Sequence, residues 1–442
     1  MSASRADVAG RLYRGLSRAA ARGLASLGFV RSVYARRSVA CGEARLPRSD
    51  LDLTVVIDPP TDLEHEVATI RALARRLHAM RRLLPMLGAA EVATPDELDL
   101  WYRAPWFPGS LERDRGWLRL WGEEIVLPAP EGPPARAWRR NLPWFFWAWS
   151  SLPRWLRARR VRTCCNLVLD MLNVALLGEG VVRGPIRRAA LVDLWQERIG
   201  DVAQLAQVRA ALRGRPSGRA DDLLRWLHRQ SVRIAHDLPD DDARDAVVGP
   251  VPERVTSRVP FSYGDATYVL VDPDDQAALD AAIDAQHATP GVVVTSARTL
   301  ARYLRERNPW QWWCIADDAR ASFARPDDEA VRRAIRYYAH PTALRRLGLS
   351  IGTGVDRRDT IGPQYAQARL WLDRGFVASS RDELVEAWRA TYGAWPYVDV
   401  ATSDEFFARC YPILRRDVDE LARRTGVVAS APDGPRRPAD FA

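Results

Sequence analysis

The chain contains no lysine, so all 65 of its formal positive charges are arginine guanidiniums. Any phosphate it binds must therefore be met by arginine, by a Ser or Thr hydroxyl, or by backbone N–H groups. A P-loop, which needs a lysine, is excluded, and no G-x-G-x-x-G run is present. The formal net charge of +9 suits a nucleotide, an RNA or an anionic surface as partner, and an arginine-rich solvated surface equally. Cysteine is scarce. Cys41, Cys164, Cys165, Cys314 and Cys410 form no C-x-x-C pair, which excludes the common zinc spacings and a disulfide framework and points to a reducing cytoplasm. Arginines interrupt residues Met1–Gly28 throughout, leaving no apolar centre for a signal peptide. No apolar run reaches the roughly 18 residues of a membrane span, so no stable membrane insertion is expected. No Ser-His-Asp arrangement stands out.

What is present reads as an α+β plan: a small mixed sheet first, then mainly helical domains. Residues 7–27 place Leu12, Leu16, Leu24 and Leu27 at helical spacing. Val30–Ala35 and Leu51–Ile57 read as strands, the second ended by Pro59 and Pro60. Thr61-x-x-Glu64 has the form of a capping box, opening a helix that runs through Leu63, Val67, Ile70 and Leu77 to Leu84. Ala89–Ala93 is the expected third strand, with Thr94-Pro95-Asp96 a turn or helix start. The Pro-rich run Leu127–Pro134 and the Asp/Pro-rich segment Asp237–Pro252 mark boundaries. They give domains at 1–130, 131–245 and 246–428, with a disordered tail over 429–442. Residues 136–245 read as helical, with a loop at Gly178–Gly184 and a buried helix over 160–177. Beyond 246, strands are expected at Thr267–Val271 and Val292–Thr295, and helices at 298–307, 328–338, 364–374, 382–391 and 404–424.

The chemistry concentrates in Arg37-Ser38-Val39-Ala40-Cys41-Gly42-Glu43-Ala44 and, after Arg45–Arg48, in Ser49-Asp50-Leu51-Asp52-Leu53. Residues i and i+2 of a strand project to one face, so Asp50 and Asp52 present their oxygens together. One or two Mg²⁺ ions suit such a pair, because Mg²⁺ takes one or two carboxylates and completes its shell with phosphate oxygens and water. Ser38, in the turn after the first strand, is placed to offer its hydroxyl and neighbouring N–H groups to a polyphosphate. Surface carboxylates flanking buried leucines account for the alternation of Asp50 and Asp52 as well; the upstream Ser38 and Gly42 favour the site.

With those residues in place, the segment resembles the nucleotidyltransferase superfamily, the fold shared with DNA polymerase β and the aminoglycoside nucleotidyltransferases. Ser38, Gly42, Ala44, Ser49, Asp50, Asp52 and Leu53 match its Gly-Ser … Ser-Asp-x-Asp-Leu signature over about residues 28–95. The resemblance implies transfer of a nucleoside monophosphate from an NTP, with ATP the favoured donor, to a hydroxyl or phosphate of a small molecule, protein or RNA. Asp50 and Asp52 would hold Mg²⁺; Ser38, with Arg37, Gly42 and Ser49, would meet the nucleotide. A third carboxylate is implied on the next strand. Glu91 is the candidate, as metal ligand or general base, with Glu97 and Asp99 as rivals and a solvent-facing role as the plain alternative. Two departures stand: Arg37 replaces the signature's first glycine, and Arg45–Arg48 carries one residue more than the usual loop. A catalytically degenerate copy that binds nucleotide or a partner without turnover is the alternative reading.

Two further signals are weaker. Nine of the seventeen tryptophans lie between Trp101 and Trp155, where packing between the first domain and its helical neighbour is favoured over base stacking. Arg229–His236 and Arg333–His340, with six residues intervening, resemble the active-site pattern of the helical HEPN ribonucleases, a spacing that chance also produces in so arginine-rich a chain.

Overall fold

The computed structural model describes residues 5–40, 42, 44, 49–98, 117–125, 134–183, 186–215, 218–239, 261–263, 266–306, 340–352, 362–376, 378, 380–395 and 400–424. The expected helix over 328–338, Asp99, Arg333, the Leu127–Pro133 part of the first boundary and the tail from Ala429 lie outside them.

The N-terminal third alternates helix and strand: α1 (Arg5–Ala25), β1 (Val30–Ala35), α2 (Arg37–Ala40), β2 (Leu51–Ile57), α3 (Leu63–Leu83) and β3 (Leu87–Ala93), then β4 (Leu118–Gly122). The four strands form a mixed sheet in the order β3-β2-β1-β4, with β1 antiparallel to β2 and β4, and β2 parallel to β3. The parallel pair needs a crossover, and α3 provides it. Its N-cap is Asp62, whose carboxylate accepts from the His65 N–H at 2.7 Å. The capping box expected at Thr61 and Glu64 is therefore displaced: Thr61 instead hydrogen-bonds Asp62 and His65. A true box forms directly after β3, where the Glu97 carboxylate accepts from the Thr94 N–H and the Thr94 hydroxyl from the Glu97 N–H.

All seven side chains of β2 are buried, as befits an inner strand covered on both faces. Leu51, Leu53, Val55 and Ile57 join Leu87, Ala90 and Val92 of β3 in a core with Tyr13, Ala21 and Leu24 of α1 and Ile70, Leu73 and Leu77 of α3. The opposite face carries Tyr34, Val56 and Ala93, with Leu98, Trp117 and Ile125 against them. The polar positions Asp52, Thr54 and Glu91 also fall on this second face.

A second core is built by α4 (Pro134–Arg157), α5 (Val161–Gly178), α6 (Arg188–Ile199), α7 (Ala203–Leu212) and α8 (Ala220–His236). Pro143 and Pro153 lie inside α4, which continues through both. A proline inside a helix costs about 3 kcal/mol. Trp138, Leu142, Phe145, Phe146, Trp149, Leu152 and Leu156 form one buried stripe, each contributing roughly 1.5–3 kcal/mol, which outweighs that cost. Among the described residues, the aromatics of α4 pack within the helical unit and on Tyr303. Although no span was expected from sequence, α5 is long and apolar enough to cross a membrane; 67 % of that stretch is buried in this core.

A second small sheet, β5 (Phe261–Tyr263), β6 (Ala266–Leu270) and β7 (Val292–Thr295), carries α9 (Gln276–Ala288) and is followed by α10 (Ala297–Glu306). The last elements are α11 (Pro341–Ser350), α12 (Gly362–Arg374), α13 (Arg381–Tyr392), α14 (Ser403–Arg409) and α15 (Tyr411–Arg424). Residues 404–424, expected as one helix, are thus two. Sequence reading also missed β4, β5, α9 and α11. These C-terminal helices share the first core, through Leu344, Leu347, Trp371, Phe406, Phe407 and Leu414.

Gly348 marks how closely they pack. A methyl group there would lie 2.5 Å from Phe407 Cζ and 2.6 Å from Phe406 Cδ1, and both rings are wholly buried. Gly348→Ala is expected to destabilise the protein by about 1–3 kcal/mol. Denaturant unfolding checks this; an unchanged midpoint would mean α11 and α14 are not packed as described.

Candidate functional site

Three backbone contacts set the start of β2. The Tyr13 hydroxyl on α1 donates to the Ser49 carbonyl at 2.5 Å, Leu51 N–H donates to Met86 O at 2.7 Å, and Arg36 N–H to Asp52 O at 3.0 Å. Burial raises the Tyr13 pKa, the hydrogen bond to Ser49 opposes that, and the nearby Asp50 charge adds to the rise. The hydroxyl thus stays protonated and continues to donate.

Asp50 is exposed and Asp52 is 8 % exposed. Opposite them the β2–β3 register slips: Leu51 pairs with Leu87 but Leu53 with Ala90, so Gly88 and Ala89 together oppose Asp52, a bulge. Arg81 on α3 steadies it by donating to the Gly88 carbonyl at 3.1 Å. A methyl on Gly88 would sit 3.0 Å from Asp50 Cβ and 3.0 Å from Asp52 Oδ1. The Asp50 Cβ and a carboxylate oxygen of Asp52 therefore both lie beside Gly88 at this end of the sheet. Two carboxylates in this arrangement suit a hard cation whose remaining ligands are phosphate and water. Gly88→Ala is expected to push the Asp52 carboxylate aside and weaken divalent-cation binding by about 10–100-fold while the melting temperature stays nearly unchanged. A Mn²⁺ titration beside a thermal melt checks it, and unchanged affinity would show that the pair does not act together.

Ser38 lies in α2, the short turn directly after β1, and is half-buried; α2 packs on β2. Arg37 opens that turn. Gly42 is exposed with φ +70°, a conformation that favours glycine, so the signature glycine at this place has a backbone reason. Ser49 is buried and precedes Asp50.

Glu91 shares the face of Asp52, since it is the register partner of Thr54 on β2. Its surroundings differ from those of a third metal ligand. Oε2 lies 2.5 Å from Arg36 Nη1 and Oε1 lies 3.2 Å from Arg346 Nη1, with Glu91 7 % exposed. Both oxygens are engaged by guanidiniums. Among the described residues, no group of three or more His, Cys, Asp or Glu side chains is placed to hold a metal. Of its rivals, Glu97 points into a different network, 2.5 Å from Arg345 Nη1. Sequence reasoning had no signal for Arg36 or Arg346, two arginines among 65.

Of the two Arg-x₆-His pairs, Arg229–His236 is engaged in other contacts, and Arg333 of the second lies outside the described residues. Arg229 pairs with Asp280 at 2.8 Å, and His236 Nδ1 meets Ser296 Oγ at 3.0 Å, joining α8 to α9 and to the start of α10. His340 is buried and caps α11, its Nδ1 accepting from Thr342 N–H at 3.3 Å. Burial pushes its pKa down to about 4, against the pull of Glu97, so it stays neutral and able to accept. Cys164 and Cys165 are buried thiols pushed up to about 12 by burial, inert at neutral pH.

Compared with protein-family models, with curated proteins and with solved structures, the chain matches none.

Proposed function

We propose that the polar end of the first sheet is a nucleotide site, and that the chain is a Mg²⁺-dependent nucleotidyltransferase. The observation that carries this reading is that the Asp50 Cβ and a carboxylate oxygen of Asp52 both lie beside Gly88, on the face of a mixed sheet opposite α1 and α3, next to the Ser38 turn. Asp50 and Asp52 would hold Mg²⁺, which neutralises charge on the phosphates. Ser38 and the backbone of α2 would orient the β- and γ-phosphates of an NTP, with ATP as the favoured donor. The acceptor oxygen forms a bond to the α-phosphorus, the bond from that phosphorus to the bridging oxygen breaks, and pyrophosphate leaves. The acceptor's proton passes to solvent or to the departing pyrophosphate, because Glu91 is already occupied as an acceptor. Positioning and charge neutralisation supply most of what an in-line displacement needs.

The second reading, a module that binds nucleotide without turnover, draws support from Arg37 at the signature glycine and from the engagement of Glu91. One experiment separates the two. Thermal stabilisation by ATP that requires Mg²⁺ supports a nucleotide site, and pyrophosphate release in the presence of candidate acceptors supports the enzyme. Stabilisation without release leaves the binding module, and neither response removes both.

A further inference from the structure

We propose that Glu91 anchors Arg36 and Arg346 as a fixed cationic pair that takes the place of a second divalent ion, so that the site holds one ion, on Asp50 and Asp52. The inference rests on the nucleotide-site reading and deepens it. Three observations carry it.

Both Glu91 oxygens are committed, at 2.5 Å and 3.2 Å, to guanidiniums from different elements. Arg36 follows β1 and is 4 % exposed; Arg346 comes from α11 and is 17 % exposed. A metal on Glu91 would have to displace one of two partially desolvated charges, leaving it unpaired in a buried place, which is costly. Arg36 also lies beside Asp52, because its N–H donates to the Asp52 carbonyl. The pair therefore adjoins the carboxylates that would hold the ion.

Two polar atoms beside Glu91 have no hydrogen-bond partner among the described residues: Thr54 Oγ1 and Arg346 Nε. Thr54 is wholly buried, is the register partner of Glu91 and stands two residues after Asp52. Leaving such groups unsatisfied is unfavourable. A polyphosphate oxygen answers both, accepting from the hydroxyl and from the guanidinium N–H. Two guanidiniums carry the same charge as one divalent cation, and arginine cannot deprotonate to lose it. The third strand's carboxylate thus acts as a positioning residue, and α11, more than 250 residues along the chain, supplies part of the phosphate cradle.

The test counts Mn²⁺ on the full-length protein by electron paramagnetic resonance, in the presence of α,β-methylene-ATP and after removal of unbound analogue. One Mn²⁺ per chain is expected for the wild type and for Glu91→Gln. Arg346→Ala should keep that count while weakening the analogue about tenfold or more, the scale of one hydrogen bond to a charged group. Arg346→Lys, which keeps the charge but loses the fork, should recover only part of the affinity. Two Mn²⁺ in the wild type, or unchanged affinity in Arg346→Ala, would overturn the proposal while leaving the nucleotide site standing. Absence of any bound Mn²⁺ would instead remove the nucleotide site itself, and the wild-type count decides this whatever the variants' folding.

Discussion

Asp52→Asn is expected to lower nucleotidyl transfer by about a hundred- to a thousandfold, the scale on which one preorganised electrostatic contact to a reacting phosphate acts. Asparagine has the shape of aspartate, so the buried position on the inner strand β2 should tolerate it. What it lacks is charge, and a hard cation discriminates strongly on charge. The companion Asp50→Asn, at an exposed position, should show a loss of the same order with even less effect on folding. Both variants are to be read by pyrophosphate release and by Mg²⁺-dependent stabilisation with ATP. The two readouts should fall together, because each rests on the same ion. Wild-type turnover in Asp52→Asn would sink the reading, since no other carboxylate among the described residues joins Asp50 beside Gly88.

The framework of that site was legible in local sequence. β1 and β2 fall at Val30–Ala35 and Leu51–Ile57, as alternation and the following Pro59-Pro60 imply. The i, i+2 rule puts Asp50 and Asp52 on one side of the strand, and Gly88 has the Asp50 Cβ and the Asp52 Oδ1 as neighbours. Gly42 needs its positive φ, which ties one signature residue to backbone geometry. What stayed hidden is non-local. β4 is five residues long and paired to β1 across more than 80 positions, so nothing in its own pattern announces it. The two prolines of α4 are outweighed by a buried stripe whose partners lie on other helices. The C-terminal helices share the first core although the chain reaches them only after the whole central helical unit. The partners of Glu91 stayed hidden for the same reason: periodicity says which way a strand residue faces, and it cannot say which of many arginines will arrive there.

The residue that fixes that arrival is Arg345, and Arg345→Met is expected to cost about 3–5 kcal/mol of stability, as for other broken buried ion pairs. Arg345 is fully buried on α11. It donates to Glu66 of α3 at 2.5 Å and to Glu97 at 2.5 Å, contacts the Tyr411 hydroxyl at 3.1 Å, and reaches Val92 O at 3.4 Å. Methionine fills much of the volume and leaves the two carboxylates short of a cation. The pH dependence gives the sign. Burial alone would raise Glu66, but Arg345, Arg415 and the Tyr411 hydroxyl outweigh it and bring that carboxyl down to about 2; Glu97 is likewise lowered. A depressed carboxyl stabilises the fold above the ordinary glutamate pKa of about 4.3, and that contribution is lost as pH falls toward 2. The gap between wild type and Arg345→Met in denaturant unfolding should therefore be widest near neutrality and narrow below about pH 4. A gap constant with pH would show that packing, not charge, sets the loss. Adding Glu97→Gln to the variant should recover part of the deficit by removing an unpaired charge. Arg346 is the next residue on the same helix, and it holds Glu91 from the other side. Under conditions where Arg345→Met remains folded, it should therefore also bind α,β-methylene-ATP more weakly than wild type. Glu97→Gln alone, which leaves Arg345 paired with Glu66, should not.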